Sequence, residues 1–262
     1  MAAQAAILTR IVEARRVATA RAKRRTPLRK LTVMAGEAAA PRDFHGALSG
    51  VGVALIAECK QRSPSGGVLQ ERYDPVALAK TYEANGASAI SVLTEPDFFG
   101  GSLEHLKAVR AAVRLPVLCK DFVIEEYQVV EARTMGADCV LLIASLLTDR
   151  QLARLEKAAR AHGMQALVEV HDAEEVRRAL GTGATMIGIN NRDLKKMKTD
   201  AETTRRLRRL IPPGPLVVSE SGITTRADLR ALAELDVDAA LVGEALLRAP
   251  DIGAKLRELV EQ

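Results

Sequence analysis

The chain has 262 residues, enough for one large domain or two small ones, and shares of 48% hydrophobic and 27% charged residues exclude bulk disorder. Aromatic residues make up 3% and tryptophan is absent, so aliphatic side chains must fill the core. The net charge of +5 is concentrated in Arg15, Arg16, Arg21, Lys23, Arg24, Arg25, Arg29 and Lys30, with no aromatic interleaved to stack on bases; this reads as a solvated helix face, and no nucleic-acid partner is expected.

Residues 1–48 read as an N-terminal helical extension, with Ile7, Ile11 and Val12 on one face. From Ala54 onward, short aliphatic or β-branched runs alternate with longer segments of helical period. Eight runs fit strands: 54–58, 89–93, 116–120, 139–143, 166–170, 186–190, 216–220 and 239–243. Between them, Pro75 to Asn85 before Gly86 and Thr148 to His162 before Gly163 carry helix starts and stops. Eight βα units without a Gly-rich turn after the first strand fit a single (β/α)8-barrel domain, 1–262, better than an open doubly wound sheet.

Cys59, Cys119 and Cys139 form no C-x-x-C pair, and an odd count does not suit a disulfide framework. No apolar run approaches the roughly 18 residues that span a bilayer. A cytoplasmic protein with no membrane association is the expectation.

In a barrel, chemistry is built where the strands end at their C-terminal side. Those ends carry Glu58 and Lys60, Lys120 and Asp121, Glu169, Asn190 and Arg192, and Glu220 and Ser221. Alternation turns Glu58 and Lys60 to one face and Cys59 to the other, and pairs Asn190 with Arg192. One such residue alone could be a structural ion pair. Several converging charges point to a site, because burying uncompensated charge costs several kcal/mol per ion. The turns at Gly222 and Gly243, after the seventh and eighth runs and before a short helix candidate at 245–248, suit a phosphate cradle.

The stretch Ile56-Ala57-Glu58-Cys59-Lys60-Gln61-Arg62-Ser63-Pro64-Ser65 resembles the first-strand signature of indole-3-glycerol-phosphate synthases. Ser91 to Glu95, Pro116 to Phe122, Gly188 to Leu194 and Ser219 to Ile223 resemble that family in the same order, and the likeness covers nearly the whole chain, basic N-terminal region included. The resemblance implies conversion of 1-(2-carboxyphenylamino)-1-deoxyribulose 5-phosphate to indole-3-glycerol phosphate, carbon dioxide and water, a step of tryptophan biosynthesis that uses no cofactor and no metal.

By the same resemblance, Lys120 is the general acid at the ribulose carbonyl oxygen, a task expected of a desolvated ammonium with a lowered pKa. Lys60, Arg192 and Asn190 hold the anthranilate carboxylate, with Lys60 a second proton donor. Glu169 is the acid–base group of the dehydration, Glu58 and Glu220 orient the lysines or take protons, and Ser221 completes the catalytic set. Ser63, Gly222, Gly243 and Glu244 fall at the phosphate, and Phe99, Phe122 and Leu141 around the aromatic ring; ordinary core packing is the other reading of both Phe residues.

The chain departs from many relatives at Gly66, where they carry Lys, at Glu244, often Ser, and at Gly100, often larger and polar. Those changes predict a less positive phosphate site, a Glu244 carboxylate turned away from it, and a more mobile loop after the second strand. Rival readings are another phosphate-binding barrel, either an isomerase with a Cys or Asp acid–base pair or a Schiff-base aldolase using Lys120, and a non-catalytic barrel with a nucleic-acid-binding N-terminus. The association state is expected to be a monomer or weak homodimer.

Overall fold

The computed structural model describes residues 2–64, 66–193 and 198–260, so Ser65 and Leu194 of the quoted motifs lie outside the described residues. Eight parallel strands close into a barrel: β1 (Ala54–Cys59), β2 (Ala89–Leu93), β3 (Val117–Lys120), β4 (Cys139–Ile143), β5 (Gln165–Val170), β6 (Met186–Asn190), β7 (Leu216–Glu220) and β8 (Ala239–Val242). Each pairs with its chain neighbours, and β1 closes onto β8 with Ala54 opposite Ala239. All eight expected strands are present to within one residue at either end.

Alternation divides the apolar side chains between two packings. Ile56, Leu118, Leu141, Leu167, Val218 and Leu241 join a cluster inside the barrel, while Leu55, Ala57, Cys59, Val117, Cys119 and Val140 join the larger cluster shared with the helices. The helices begin and end on local signals. Asp74 Oδ1 accepts from Val76 N and Ala77 N at 3.0 Å to start Pro75–Ala84. Thr148 and Gln151 form a reciprocal capping box at the start of Asp149–Ala161.

The N-terminal extension consists of α1 (Ala2–Arg25), α2 (Leu28–Glu37) and α3 (Phe44–Leu48). The fully buried Phe44 and Leu48 join the inner cluster. Gln165, the first residue of β5, accepts Phe44 N at 2.8 Å and His45 N at 3.0 Å through Oε1, so α3 stoppers the N-terminal end of the barrel. Asp138, just before β4, works at the same end. It accepts Val117 N and Arg42 N, both at 2.7 Å, and pairs with Arg110. No helix among the described residues is long and apolar enough to cross a membrane.

Helix α1 buries Ile11, Arg15, Thr19 and Ala22, spaced at the helical period, with Ile7 and Val12 half-buried. Seven of the eight basic residues expected on a solvated face are exposed; Arg15 is not. Its Nη2 donates to Asp121 Oδ2 at 2.9 Å, and its Nε lies 2.9 Å from Oδ1. Thr94 Oγ1 donates to the same carboxylate at 2.6 Å, and Phe122 N does so at 2.7 Å. The extension is thus fastened to the residue that follows β3.

Removing one partner of such a buried pair leaves the other uncompensated. Arg15→Met is expected to lower unfolding free energy by about 3 kcal/mol, whereas Arg16→Met on the exposed face should change it by less than about 0.5 kcal/mol, both read from denaturant midpoints.

Candidate active site

Three glutamates end strands on the inside of the barrel mouth, and each is almost wholly buried: Glu58 at 4% exposure, Glu169 at 1% and Glu220 at 1%. Three carboxylates in one pocket are tolerable only with cations between them. Lys60, two residues past Glu58 and therefore on the same face, donates to Glu58 Oε1. Lys120, at the end of β3, has its Nζ 3.3 Å from Glu169 Oε2 and 3.2 Å from Glu220 Oε2.

Burial by itself would depress the Lys120 pKa, but Glu220, Glu169 and Glu58 outweigh it and hold the ammonium above its ordinary value. The expected lowering is therefore reversed, because three carboxylates converge on one amine. The glutamates separate in turn. Burial opposes charge on all of them, yet Lys60 and Lys120 bring Glu58 down. Lys120, together with the His171 and Asn190 side chains nearby, holds Glu169 well below the usual carboxylate range. For Glu220 burial prevails, and with Glu169 alongside it is pushed up to about 7.

Space for these carboxylates comes from two glycines. A Cβ on Gly188, inside β6, would lie 2.4 Å from Glu220 Oε1, and one on Gly243 would lie 2.5 Å from Glu58 Oε1. On the β6–β7 side, Asn190 Oδ1 accepts from Ser221 Oγ at 2.9 Å and Arg192 N at 3.0 Å. Ser221 has φ 67, a left-handed value that a residue with a side chain rarely adopts. Asn191 holds it there: its Nδ2 donates to Ser221 O at 2.9 Å, while its Oδ1 accepts Thr204 N and Oγ1.

Above the charged floor is an apolar wall in which Phe99 and Phe122 stand with ring centroids 5.9 Å apart, alongside Leu141, Ile143 and Leu241. Floor and wall enclose a cavity of about 340 Å3. All fifteen residues expected at the site line it, with Ser63, Gly222, Gly243 and Glu244 on the side of β1, β7 and β8. The Glu244 carboxylate is not turned away from this rim. It lies 3.5 Å from Arg192 Nη2 and 2.9 Å from Arg248 Nε. The rim lacking Lys at 66 instead holds Arg248, whose Nη2 donates to Gly66 O at 3.2 Å. Gly100 ends the short helix Pro96–Phe99 with φ 67, and a Cβ there would meet Gln61 Oε1 at 2.3 Å, so the residue answers to a tight turn and a close approach.

Cys59 and Cys119 face the helices as alternation requires, and burial raises both thiols, Cys119 to about 12. Neither supplies the thiol acid–base partner of the isomerase reading. Among the described residues, no group of three or more His, Cys, Asp or Glu is placed to hold a metal ion.

Residues not singled out from sequence support the site from just outside its lining. Glu95 is buried and caps the Phe99 segment by accepting Asp97 N, Phe98 N and Phe99 N. His171 Nε2 lies 3.3 Å from Glu169 Oε1. Strand alternation offered a signal for it, since His171 follows Glu169 by two residues and shares its face.

The barrel has parallels among known proteins. Solved structures of 3-hexulose-6-phosphate synthase, one of them from Salmonella typhimurium, superpose with TM-scores of 0.65 at 20% and 15% identity. They cover 79% of this chain and 98% and 96% of theirs, a likeness of fold. Sequence relatives are much nearer. The indole-3-glycerol phosphate synthase of Roseiflexus sp. (strain RS-1) is 52% identical over 262 residues, 97% of both chains. That of Dehalococcoides mccartyi (strain CBDB1) is 50% identical over 258 residues, 97% of this chain and all of the relative. The family model described as indole-3-glycerol phosphate synthase matches residues 8–259, and this chain belongs to that family.

Proposed function

We propose that the chain closes the indole ring of indole-3-glycerol phosphate from 1-(2-carboxyphenylamino)-1-deoxyribulose 5-phosphate, with Lys120 as the acid of the first step. The observation that carries this reading is the Lys120 ammonium held between Glu169 and Glu220 beneath an apolar wall. Phe99, Phe122 and Leu141 offer surfaces for the anthranilate ring. Lys60, Arg192 and Asn190 hold its carboxylate. Ser63 and the backbone at Gly222, Gly243 and Glu244 hold the phosphate, Glu244 exchanging its contact with Arg192 for one through its own N–H.

With the substrate so placed, the ring carbon bearing the carboxylate attacks the ribulose carbonyl carbon, and Lys120 protonates the carbonyl oxygen as the bond forms. The C–CO2 bond then breaks, its electron pair restoring the benzene ring as carbon dioxide leaves. In the second half, Glu169 takes the proton from the neighbouring ring carbon, the C–H electrons form the indole double bond, and the hydroxyl leaves as water with a proton from Lys60.

The two halves are electrostatically coupled. Once Lys120 has given up its proton, the largest charge depressing Glu169 is gone, so Glu169 becomes a stronger base when dehydration requires one. Glu58 and Glu220 orient the lysines or take protons, and Ser221 keeps Asn190 in register.

A raised Lys120 also bears on the aldolase alternative. A Schiff-base nucleophile must be a neutral amine, and here the carboxylates favour the ammonium. The site takes a phosphorylated small molecule as its partner and needs neither cofactor nor metal. We place the enzyme in the cytoplasm, as a monomer or weak homodimer without nucleic-acid affinity, and treat 1–262 as one domain.

Indole fluorescence on mixing with the carboxyphenylamino-deoxyribulose phosphate tests this directly. Turnover is expected in the parent, and Lys120→Ala should lower kcat on the order of a thousandfold. Borohydride added during turnover should leave no substrate covalently attached. Both roles given to Glu220 need its anion, which forms as pH rises through about 7. kcat/KM should therefore climb across that pH, and Glu220→Gln should remove the inflection.

A further inference from the structure

His171 is not part of the floor described above, but it continues that floor outward. It lies just past the end of β5, where alternation turns it to the same side as Glu169. Its ring is fixed from behind. Glu175 Oε2 accepts both the His171 backbone N–H at 2.8 Å and its Nδ1 at 3.1 Å. Glu175 is itself pinned in the first turn of helix Ala173–Thr182, where its N–H donates to the Asp172 cap at 2.9 Å. With Nδ1 so engaged, Nε2 is left to face Glu169 Oε1 at 3.3 Å, while the other oxygen of Glu169 lies 3.3 Å from Lys120.

Charges thus alternate along one line, Lys120, Glu169, His171, Glu175. An imidazole between two carboxylates is stable there as the cation. Burial opposes that charge, and the hydrogen bond to Glu175 with the fields of Glu169 and Glu175 reverses the effect, raising the ring to about 10.

Resting on the reaction assigned above, we propose that His171 is a positioning residue whose imidazolium, clamped by Glu175, keeps Glu169 ionised and aimed at Lys120 through both halves of the turnover. Without it, Glu169 would depend on Lys120 alone for its countercharge. That countercharge disappears when Lys120 protonates the carbonyl oxygen, and Glu169 could then reclaim a proton before dehydration. The second cation persists across the step. Glu169 faces it from its own strand, Glu175 from the following helix, and Lys120 reaches the other oxygen of Glu169 from β3, with Asn190 of β6 nearby.

Two substitutions and one spectroscopic measurement test the proposal. His171→Asn keeps a polar side chain and removes the cation; kcat is expected to fall about tenfold to a hundredfold, with KM changed little. Loss of the cation raises the Glu169 pKa, so the acid limb of kcat should move to higher pH. Glu175→Gln, which leaves the ring in place and removes its countercharge, should move kcat and that limb the same way by a smaller amount. In the parent protein, 15N resonances of the His171 ring should show the doubly protonated form at about pH 8.

A neutral ring at that pH overturns the proposal, as do folded variants that both retain the parental kcat and acid limb. Should His171→Asn fail to fold, Glu175→Gln and the ring resonances still decide. A parent protein that forms no indole product would instead remove the assigned reaction, while the ring resonances would still report whether the cation exists.

Discussion

The mouth of this barrel is governed by the need to keep three buried carboxylates within reach of one ammonium. Glu58, Glu169 and Glu220 are too far from water to be stabilised by solvent, and Lys120 is too buried to remain charged unaided. Each makes the other tenable. The arrangement is also unequal: Lys60 serves Glu58, His171 serves Glu169, and among the described residues Glu220 has its share of Lys120 and no second cation of its own. That inequality spreads the three acids across a wide pH range without any difference in their covalent chemistry.

Such a floor must be held still. Nearly every group on it sits at a strand end, and the segments beyond are tied down by short-range bonds: Glu95 under the Phe99 segment, Asn191 beneath Ser221, Glu175 behind His171. Support also arrives from far along the chain. Arg15 crosses from α1 to Asp121, the neighbour of Lys120, while α3 fills the opposite end of the barrel. The extension therefore contacts the barrel at both ends and is continuous with its core.

Much of this was legible in the sequence. The eight strands follow from period-two runs between capped helices, and the rule that a barrel does its chemistry at the C-terminal strand ends points to Glu58, Lys60, Lys120, Asp121, Glu169, Asn190, Arg192, Glu220 and Ser221. What escaped depended on distance in the chain. The charge of Arg15 carries no sign of a carboxylate 106 residues away. The direction in which Lys120 shifts depends on how many acids meet it, which no single strand records. Glu244 was expected to turn away because a carboxylate has no proton to offer a phosphate, and the attraction to Arg192 that holds it at the rim exists only once β6 and β8 share a barrel. His171 was visible by alternation, but a lone histidine after a strand does not declare what stands on its other side.

Gly188 shows where part of the catalytic design is stored. The volume occupied by Glu220 Oε1 exists because β6 lacks a single methyl group at that point. A one-base change in a glycine codon to give alanine would be among the mildest substitutions by chemistry, yet it would force the carboxylate off its ion pair. The inheritance of this active site therefore includes a missing methyl group as well as reactive groups, and tolerance at Gly188 is set by steric clearance rather than polarity.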